Sequence, residues 1–396
     1  MRFLEILFWI LLVIIFYTYI GYGIVLFAMV KMKRMFGKKK PANQEEKELP
    51  EVTLLIPAYN EKDYVARKME NTRKLNYPKE KLNVFWVTDG SDDGTNFALM
   101  DYEDVMVFHK DERKGKINAM NRVMPYVKTP IAIFSDANTD LGEDSIMHIV
   151  TCFEDEKVGC VSGEKRIVDK GADAAAGAGE GLYWRYESTL KKWDAELYSV
   201  VGAAGELFAI RTELYNEVEQ DTILDDFIIS LRVAKQGYTI QYNPEAYAIE
   251  TASQDVGEEL KRKIRISAGG IQSVVRLRSL LNIFKYGLLS FQFISHRVLR
   301  WTLTPLCLLL LIPVSAALAF NEGIFDFGLY ASFFWLQVAS YLAALLGWLL
   351  ENQSTRIKAL FVPYYFFIMN LSVFLGFFRY MKKTQSVNWE RAKRAA

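Results

Sequence analysis

The chain has 396 residues, a formal net charge of +1, and a composition in which 51% of the residues are hydrophobic. The near-neutral charge argues against the electrostatic footprint of a nucleic-acid-binding protein, so no nucleic-acid partner is expected. Three cysteines and three histidines are too few and too scattered for a disulfide framework, a structural zinc site or a histidine-based triad. The hydrophobic excess is concentrated at the two ends of the chain.

The first predicted element is a membrane-spanning helix within residues 1–30. The stretch from Phe3 to Val30 is apolar except for Glu5, and about 20 apolar residues suffice to cross the hydrocarbon core. A signal-peptide core is only about 7–15 residues long, and no small-residue cleavage site stands out, so we predict a retained helix. The linker that follows, residues 31–50, is basic and polar. The positive-inside rule therefore places the next domain in the cytoplasm of a multi-pass cell (inner) membrane protein.

Residues 51–280 alternate short apolar runs with amphipathic stretches. The runs are rich in Val, Ile and Phe, and each ends in a polar or glycine-containing turn; they are Val52–Ile56, Val84–Thr88, Val105–His109 and Ile131–Phe134. The stretches Asp63–Leu75 and Lys116–Tyr126 suit helices. This alternation predicts an α/β domain with a mainly parallel sheet. Ligands of such sheets bind beyond the carboxyl ends of the strands, where the polar turns lie.

Three of the polar turns have compositions that suit a nucleotide. Thr88–Gly94 is denser in acids and glycines than a turn requires, and a carboxylate there can accept hydrogen bonds from a base or a ribose. Arg113–Asn121 is basic and opens a helix, which suits a diphosphate, although a solvated basic turn is the alternative. Asp136–Asp140 offers oxygen ligands for Mg²⁺ or Mn²⁺. The spacing does not fit an EF-hand, and no P-loop pattern is present.

Two further stretches of the middle domain are informative. Asp225 and Asp226 open a helix that is predicted to run to about Gly237; acids in a first helical turn are also ordinary partners of the helix dipole, so a structural role is the alternative. Tyr183–Tyr186 and Trp193 form an aromatic and basic stretch. We expect it to pack in the core or at the membrane interface rather than to stack on a sugar.

The C-terminal residues 301–380 contain three apolar stretches that are predicted to span the membrane: Trp301–Phe320, Leu329–Leu350 and Leu360–Tyr380. A shorter stretch, Leu288–Leu299 within residues 281–300, is predicted to lie at the membrane interface. Three crossings would place the basic tail, residues 381–396, outside the cell, against the positive-inside rule. A re-entrant last stretch, which Pro363 and Asn370 would favour, is the alternative.

In their order and spacing, the four turns Pro57–Glu61, Thr88–Gly94, Arg113–Asn121 and Asp136–Asp140 resemble those of family-2 glycosyltransferases with the GT-A fold, and the layout resembles that of membrane-embedded processive polysaccharide synthases. The resemblance runs from about Val52 to Arg278. It implies a Rossmann-like, mainly parallel catalytic domain joined to transmembrane helices. It also implies an inverting hexosyltransferase that uses a UDP-sugar with Mg²⁺ or Mn²⁺.

The resemblance also implies roles for individual residues, with Asp226 as the catalytic base. The donor residues would be Pro57, Tyr59, Glu61, Asp89, Arg113, Lys116 and Asp136, of which Asp89 would contact the nucleobase. The metal ligands would be Asp136 and Asn138, the acceptor residues Gly205, Glu206 and Arg262, and the remaining catalytic residues Asp225 and Arg265.

The sequence departs from this family pattern at three positions. Asn138 replaces the second aspartate of the metal motif, and an amide oxygen brings no charge. Arg262 and Ile266 replace the Gln and Trp of the Gln-x-x-Arg-Trp motif of processive synthases, whereas Arg265 matches its arginine. Arg297–Trp301 is closer to the motif in letters but borders a membrane segment, so we expect its Arg and Trp side chains to anchor at headgroups.

Two acceptors remain open, a growing polysaccharide and a membrane lipid such as a polyprenyl phosphate or a diacylglycerol-type glycolipid. Four spans make a thin channel unless the chain forms a homo-oligomer, which also remains open. The expected partners are a UDP-sugar donor, a glycan or lipid acceptor, and membrane lipids. A transporter or scaffold with a nucleotide-binding domain is a remote alternative, because neither internal repeats nor intramembrane charges are clear. No G-x-G-x-x-G follows the first strand, which excludes a nicotinamide dehydrogenase.

Overall fold

The computed structural model of the protein describes residues 1–36, 48–168, 174–251, 256–326, 328–350 and 358–387. Parts of the predicted linker and tail, residues 37–47 and 388–396, lie outside the described residues. The strands are β1 Val52–Ala58, β2 Leu82–Asp89, β3 Met106–Lys110, β4 Ile131–Ser135, β5 Asp140–Leu141, β6 Val158–Val168, β7 Leu207–Arg211 and β8 Thr239–Thr251.

The α-helices are α1 Arg2–Phe16, α2 Tyr22–Phe36, α3 Lys62–Arg73, α4 Thr95–Leu99, α5 Lys116–Val123, α6 Ser145–Cys152, α7 Ala174–Leu197, α8 Asp225–Lys235, α9 Val256–Arg276, α10 Ile283–Tyr286, α11 Leu288–Phe293, α12 Leu299–Trp301, α13 Leu303–Glu322, α14 Leu329–Leu349 and α15 Lys358–Met381. Single π-helical turns, Tyr17–Gly21 and Ile294–Val298, join α1 to α2 and α11 to α12.

The eight strands form one sheet in the order β3-β2-β1-β4-β7-β6-β8-β5. The first four of these strands are parallel, as the sequence predicts. Strand β7 runs antiparallel to both β4 and β6, and β5 runs antiparallel to β8, so the whole sheet is mixed. The α/β architecture is therefore confirmed, with its parallel half supplied by the strands that carry the polar turns.

Both faces of the sheet are covered by hydrophobic side chains. Along the neighbouring strands β1 and β2, Leu55 and Phe85 join one core cluster, whereas Leu54, Ile56 and Trp86 join a second cluster. Successive residues of a strand point to opposite faces, so the unbroken apolar runs in the sequence reflect strands that are buried on both sides. This burial fixes the strand ends, and hence the polar turns, at one edge of the sheet.

Four helices are long and apolar enough to cross a membrane: Arg2–Phe36, Leu303–Glu322, Leu329–Leu349 and Leu360–Met381. The first extends beyond the predicted end at residue 30. Its last turn docks on the catalytic domain, because the Lys33 ammonium donates to the carbonyl oxygens of Glu196 and Leu197 at 2.6 and 2.8 Å. Cationic side chains at the carboxyl end of a helix such as α7 are stabilising.

The expectation that Arg297 and Trp301 anchor at lipid headgroups is wrong. The Arg297 guanidinium lies 2.7 Å from a carboxylate oxygen of Glu187 on α7. The Trp301 ring packs edge-on against Phe227 of α8 at 5.3 Å, and it fills the space beside Gly270 of α9. The buried carboxylate of Glu187 needs cationic partners, and that need holds this segment on the catalytic domain.

Candidate active site

The carboxyl ends of β1, β2 and β3 bring three of the predicted donor turns together. Pro57 is the last residue but one of β1. Tyr59 follows the strand, and the Tyr59 ring stacks under the guanidinium of Arg113, with 3.6 Å between the guanidinium carbon and the ring centroid. The backbone N–H of Glu61 donates to Thr95 Oγ1 at 3.0 Å, which ties the first turn to the start of α4. The predicted donor residues of the first and third turns are therefore in contact.

Asp89 holds the basic turn in place. Its carboxylate accepts hydrogen bonds from the backbone N–H groups of Lys114 at 3.1 Å and Gly115 at 2.6 Å. The next residue, Gly90, has φ +71, and a Cβ there would lie 2.7 Å from the Cβ of Arg113, so the close approach requires glycine. A carboxylate offers about four acceptor positions, so Asp89 retains acceptor capacity after these two bonds.

Lys116 joins two acids that are far apart in the sequence. Its ammonium lies 2.6 Å from Asp136 Oδ1 and 3.7 Å from Asp225 Oδ2. Burial lowers the pKa of Lys116, but attraction to Asp136 and Asp225 outweighs burial, so the pKa is raised and the ammonium stays charged. The structure thus places a fixed positive charge between the predicted metal motif and the predicted base.

Lys68 of α3 binds the residues on both sides of the predicted metal motif. The Lys68 ammonium, which is fully buried, donates to Ser135 Oγ at 2.8 Å and to the carbonyl oxygen of Thr139 at 2.7 Å. Asp140, the last residue of this turn, forms an ion pair with Arg67 of α3. Burial raises the pKa of Asp136 despite the neighbouring Lys116.

The described residues offer few ligands for a divalent ion. No group of three or more His, Cys, Asp and Glu side chains among them could hold a metal ion. Asp136 and Asn138, which follow strand β4, nevertheless supply one carboxylate and one amide group. Mg²⁺ is often held by one or two carboxylates together with substrate phosphates and water, so this donor set fits an ion that binds with the donor.

Asp225 and Asp226 form the first turn of α8. Gly205 leaves room for the second of them, because a Cβ there would lie 3.2 Å from Asp226 Oδ2. Burial and the charge of Asp225 raise the pKa of Asp226 to about 7, although Lys116 partly opposes this. A carboxylate whose pKa lies close to neutral pH is suited to general-base chemistry.

Of the predicted acceptor residues, Gly205 adjoins Asp226, and the charges of Glu206 and Arg262 attract each other. Glu206 forms an ion pair of 2.7 Å with Lys165 of β6. Burial would raise the pKa of Glu206, but Lys165 and Arg262 outweigh burial and lower it. Arg262 donates to Glu259 at 3.2 Å, and Arg265 lies on the same helix, α9. Glu206 and Arg262 therefore belong to a group of paired opposite charges that also includes Lys165 and Glu259.

Two lysines of the site were missed by the sequence analysis. Lys68 shares the buried face of α3 with Val65, Met69 and Thr72, and a lysine at an apolar helical position was the available signal. Lys165 lies within β6, where the sequence Glu164-Lys165-Arg166 looks like an ordinary exposed strand end. We find no comparable signal for Lys165 in the sequence.

Comparison with known proteins relates the chain to glycosyltransferases. Residues 50–269 match the family model described as glycosyltransferase like family 2. A poly-beta-1,6-N-acetyl-D-glucosamine synthase of Staphylococcus aureus (strain MSSA476) is 24% identical over 254 residues, which cover 62% of this chain and 60% of that protein. A beta-monoglucosyldiacylglycerol synthase of Trichormus variabilis is 29% identical over 212 residues, which cover 49% of this chain and 43% of that protein. The chain thus spans less than two thirds of the length of these curated relatives.

A solved structure shares the fold along almost the whole chain. The mannosyltransferase PcManGT from Pyrobaculum calidifontis, in complex with GDP-Man and Mn²⁺, superimposes with a TM-score of 0.70. The match covers 96% of this chain and 100% of that one, at 20% sequence identity. The similarity therefore includes the apolar helices as well as the sheet, and it concerns the fold alone.

Proposed function

We propose that this chain, which belongs to the glycosyltransferase-like family 2, moves a sugar from a UDP-sugar to a polysaccharide or lipid-linked acceptor with inversion at the anomeric carbon. The observation that carries the proposal is the arrangement around Lys116. Its charged ammonium lies between Asp136 and Asp225. The residue after Asp225 is Asp226, whose carboxylate has a raised pKa. In this arrangement Lys116 would stabilise the diphosphate and Asp226 would take the proton of the acceptor within one site.

In this proposal Asp226 is the general base. As the acceptor hydroxyl oxygen bonds to the anomeric carbon, its proton moves to the Asp226 carboxylate. The bond between the anomeric carbon and the diphosphate oxygen breaks at the same time, and UDP leaves with the bonding electrons. Attack opposite the leaving group inverts the configuration. Asp225 supports the step by raising the pKa of its neighbour, because two adjacent carboxylates resist simultaneous ionisation.

The donor would occupy the edge formed by the first three turns. Tyr59 with Arg113, and Asp89 with the turn it holds, would bind the base and ribose, and Lys116 would face the diphosphate. Asp136 and Asn138 would hold Mg²⁺ or Mn²⁺, which neutralises charge on the leaving diphosphate when bound. Lys116 contributes fixed positive charge to the same purpose.

A single or short transfer to a lipid is the second candidate. It is favoured by Ile266, which stands where processive synthases carry the tryptophan of their acceptor motif. On either candidate the chain acts at a membrane, which the four long apolar helices support. We place the catalytic domain in the cytoplasm, on the basis of the basic residues that follow the first span.

The test uses the purified full chain in detergent with Mg²⁺ or Mn²⁺ and a panel of UDP-glucose, UDP-N-acetylglucosamine, UDP-galactose and GDP-mannose. We expect release of UDP from one donor, and loss of at least 100-fold in transfer by Asp226→Asn with donor binding retained. Asp101→Asn, a change at an exposed carboxylate, is the matched control. Normal turnover by Asp226→Asn would remove the base assignment, and absence of binding to any nucleotide sugar would remove the enzyme proposal.

The size of the product then separates the two acceptors. Membranes incubated with a labelled donor are extracted and the products are resolved by length. A ladder of products identifies a polymerase, whereas one lipid-soluble product identifies a glycolipid enzyme. The same sizing on Ile266→Trp tests the second candidate, since restoring the tryptophan should lengthen the products if its absence limits them.

A further inference from the structure

Three lysines surround the Trp184 indole on the acceptor side of the site. The Nζ atoms of Lys165, Lys191 and Lys263 lie 6.0, 5.8 and 5.9 Å from the centroid of the ring. They come from β6, α7 and α9, so three separate elements direct cations towards one ring. Attraction between a cation and an indole is weak at this distance, and it does not by itself explain why three lysines lie around one ring.

Lys191 differs from the other two lysines. Lys165 is paired with Glu206 and Glu250, and Lys263 is paired with Glu259 at 3.3 Å. Lys191 is only 5% exposed, yet within the part of the chain that the structure describes its ammonium has no hydrogen-bond or ion-pair partner. Its contacts are with aromatic rings, Trp184 and, at 5.7 Å, Tyr242.

The nearby carboxylate of Glu164 is already engaged by hydroxyl groups. It accepts hydrogen bonds from Ser188 Oγ at 2.5 Å and from the Tyr242 hydroxyl at 2.6 Å. The Lys191 ammonium therefore lies beside two aromatic rings and, among the residues that the structure describes, has no carboxylate to pair with it. A lysine held in this way, with no anion of its own, is suited to bind an anionic group through a charge-assisted hydrogen bond.

Contacts link the cluster both to the neighbourhood of the predicted base and to the first apolar helix. On one side, Lys165 binds Glu206, the neighbour of the glycine that faces Asp226. On the other side, Tyr186, two residues after Trp184, donates from its hydroxyl to the carbonyl oxygen of Tyr19 in the first apolar helix at 2.8 Å. An acceptor held in a membrane and reaching the base would pass this cluster.

We propose that Lys191, Trp184 and Tyr242 form a subsite for a phosphate group on a membrane-anchored acceptor. This rests on the proposed function and names its acceptor class as a phosphate-bearing lipid. The phosphate accepts a charge-assisted hydrogen bond from the Lys191 ammonium, the aromatic rings border the adjoining apolar part, and a hydroxyl further along the acceptor reaches Asp226. The phosphate supplies the anion that this ammonium lacks.

Binding is measured on the full chain in detergent by native mass spectrometry, without any nucleotide sugar. The probes are dioleoyl phosphatidic acid, dioleoylglycerol as the neutral match, and inorganic phosphate. We expect the protein to retain phosphatidic acid over dioleoylglycerol, and Lys191→Gln to weaken that binding at least tenfold, the loss expected for one charge-assisted hydrogen bond. Lys192→Gln, a change at the adjacent exposed lysine, should bind as the wild type does.

The inorganic phosphate arm separates the sources of the ligand. Displacement of phosphatidic acid by inorganic phosphate indicates that the phosphate group alone is recognised, and failure to displace it indicates recognition within a lipid; both outcomes support the subsite. Equal retention of the neutral lipid, or unchanged binding by Lys191→Gln, would overturn it. A lower unfolding temperature of Lys191→Gln would also overturn it, because the lysine would then be structural. Since no transfer is measured, these outcomes do not depend on Asp226 acting as the base.

Discussion

Replacing Asp226 by Asn should abolish transfer and at the same time stabilise the protein at alkaline pH. The pKa of Asp226 is raised to about 7 from an ordinary value of 3.8. A carboxyl whose pKa is higher in the folded chain binds more protons when folded, so stability falls as pH rises from about 4 to about 7. Above about pH 7 the folded chain carries the full loss of stability that ionised Asp226 causes.

The magnitude follows from the size of this shift. A rise of roughly 3 pKa units corresponds to about 4 kcal/mol, and because the Asp226 side chain is only partly buried, solvent screening reduces this to about 1–3 kcal/mol. For a domain of about 200 residues, each kcal/mol moves the unfolding midpoint by about 2–4 °C. We therefore expect Asp226→Asn to melt roughly 2–12 °C above the wild type at pH 8, and this difference to shrink to about one third at pH 5.

The assay is thermal unfolding in detergent, followed by the fluorescence of the eight tryptophans, at pH 5 and pH 8. Asp101→Asn, at an exposed carboxylate, controls for the loss of one negative charge. An Asp226→Asn midpoint at or below that of the wild type at pH 8 would refute the account, because it would mean that the ionised carboxylate is not destabilised where it lies.

Three other predictions concern the neighbours of this carboxylate. Asp225→Asn should lower the pKa of Asp226, so the acid limb of the kcat/KM profile should move to lower pH by about one unit; an unmoved limb would show that the two carboxylates do not interact. Lys116→Met should raise the KM for the donor by about tenfold to 100-fold, whereas Lys116→Arg should restore part of it. In steady-state kinetics, an equal KM for both variants would contradict the diphosphate role. Asn138→Asp should lower the Mn²⁺ concentration for half-maximal activity by about tenfold, because it adds a charged ligand beside Asp136; unchanged activation would remove Asn138 from the metal site.

The sequence by itself determined the parallel half of the sheet and the strand ends at which the candidate site is predicted. Val52–Ala58 and Ile131–Ser135 are unbroken apolar runs followed by polar turns, and an apolar run bounded by turn residues is a local signal that needs no knowledge of the partner strand. The same local signals identified Asp89, Asp136 and Asp226 as candidate site residues, since each follows a strand or opens a helix.

Other features were decided only by packing between distant segments. That the cation of Lys116 lies between Asp136 and Asp225 depends on how α5, β4 and α8 pack together, and no sequence spacing reveals it. The sequence predicted that Trp301 anchors at lipid headgroups, whereas the buried charge of Glu187 holds the preceding arginines on the catalytic domain.

The isolation of Lys191 is the clearest case of this kind. In the sequence it is one of two adjacent lysines, Lys191 and Lys192, on an amphipathic helix, and either could have faced solvent. Packing buries the first and exposes the second, and the aromatic rings around Lys191 come from α7 and β8, whereas its neighbouring cations come from β6 and α9. Local periodicity records which residues are buried, but whether a buried charge is paired depends on which segments meet, and only the tertiary structure determines that.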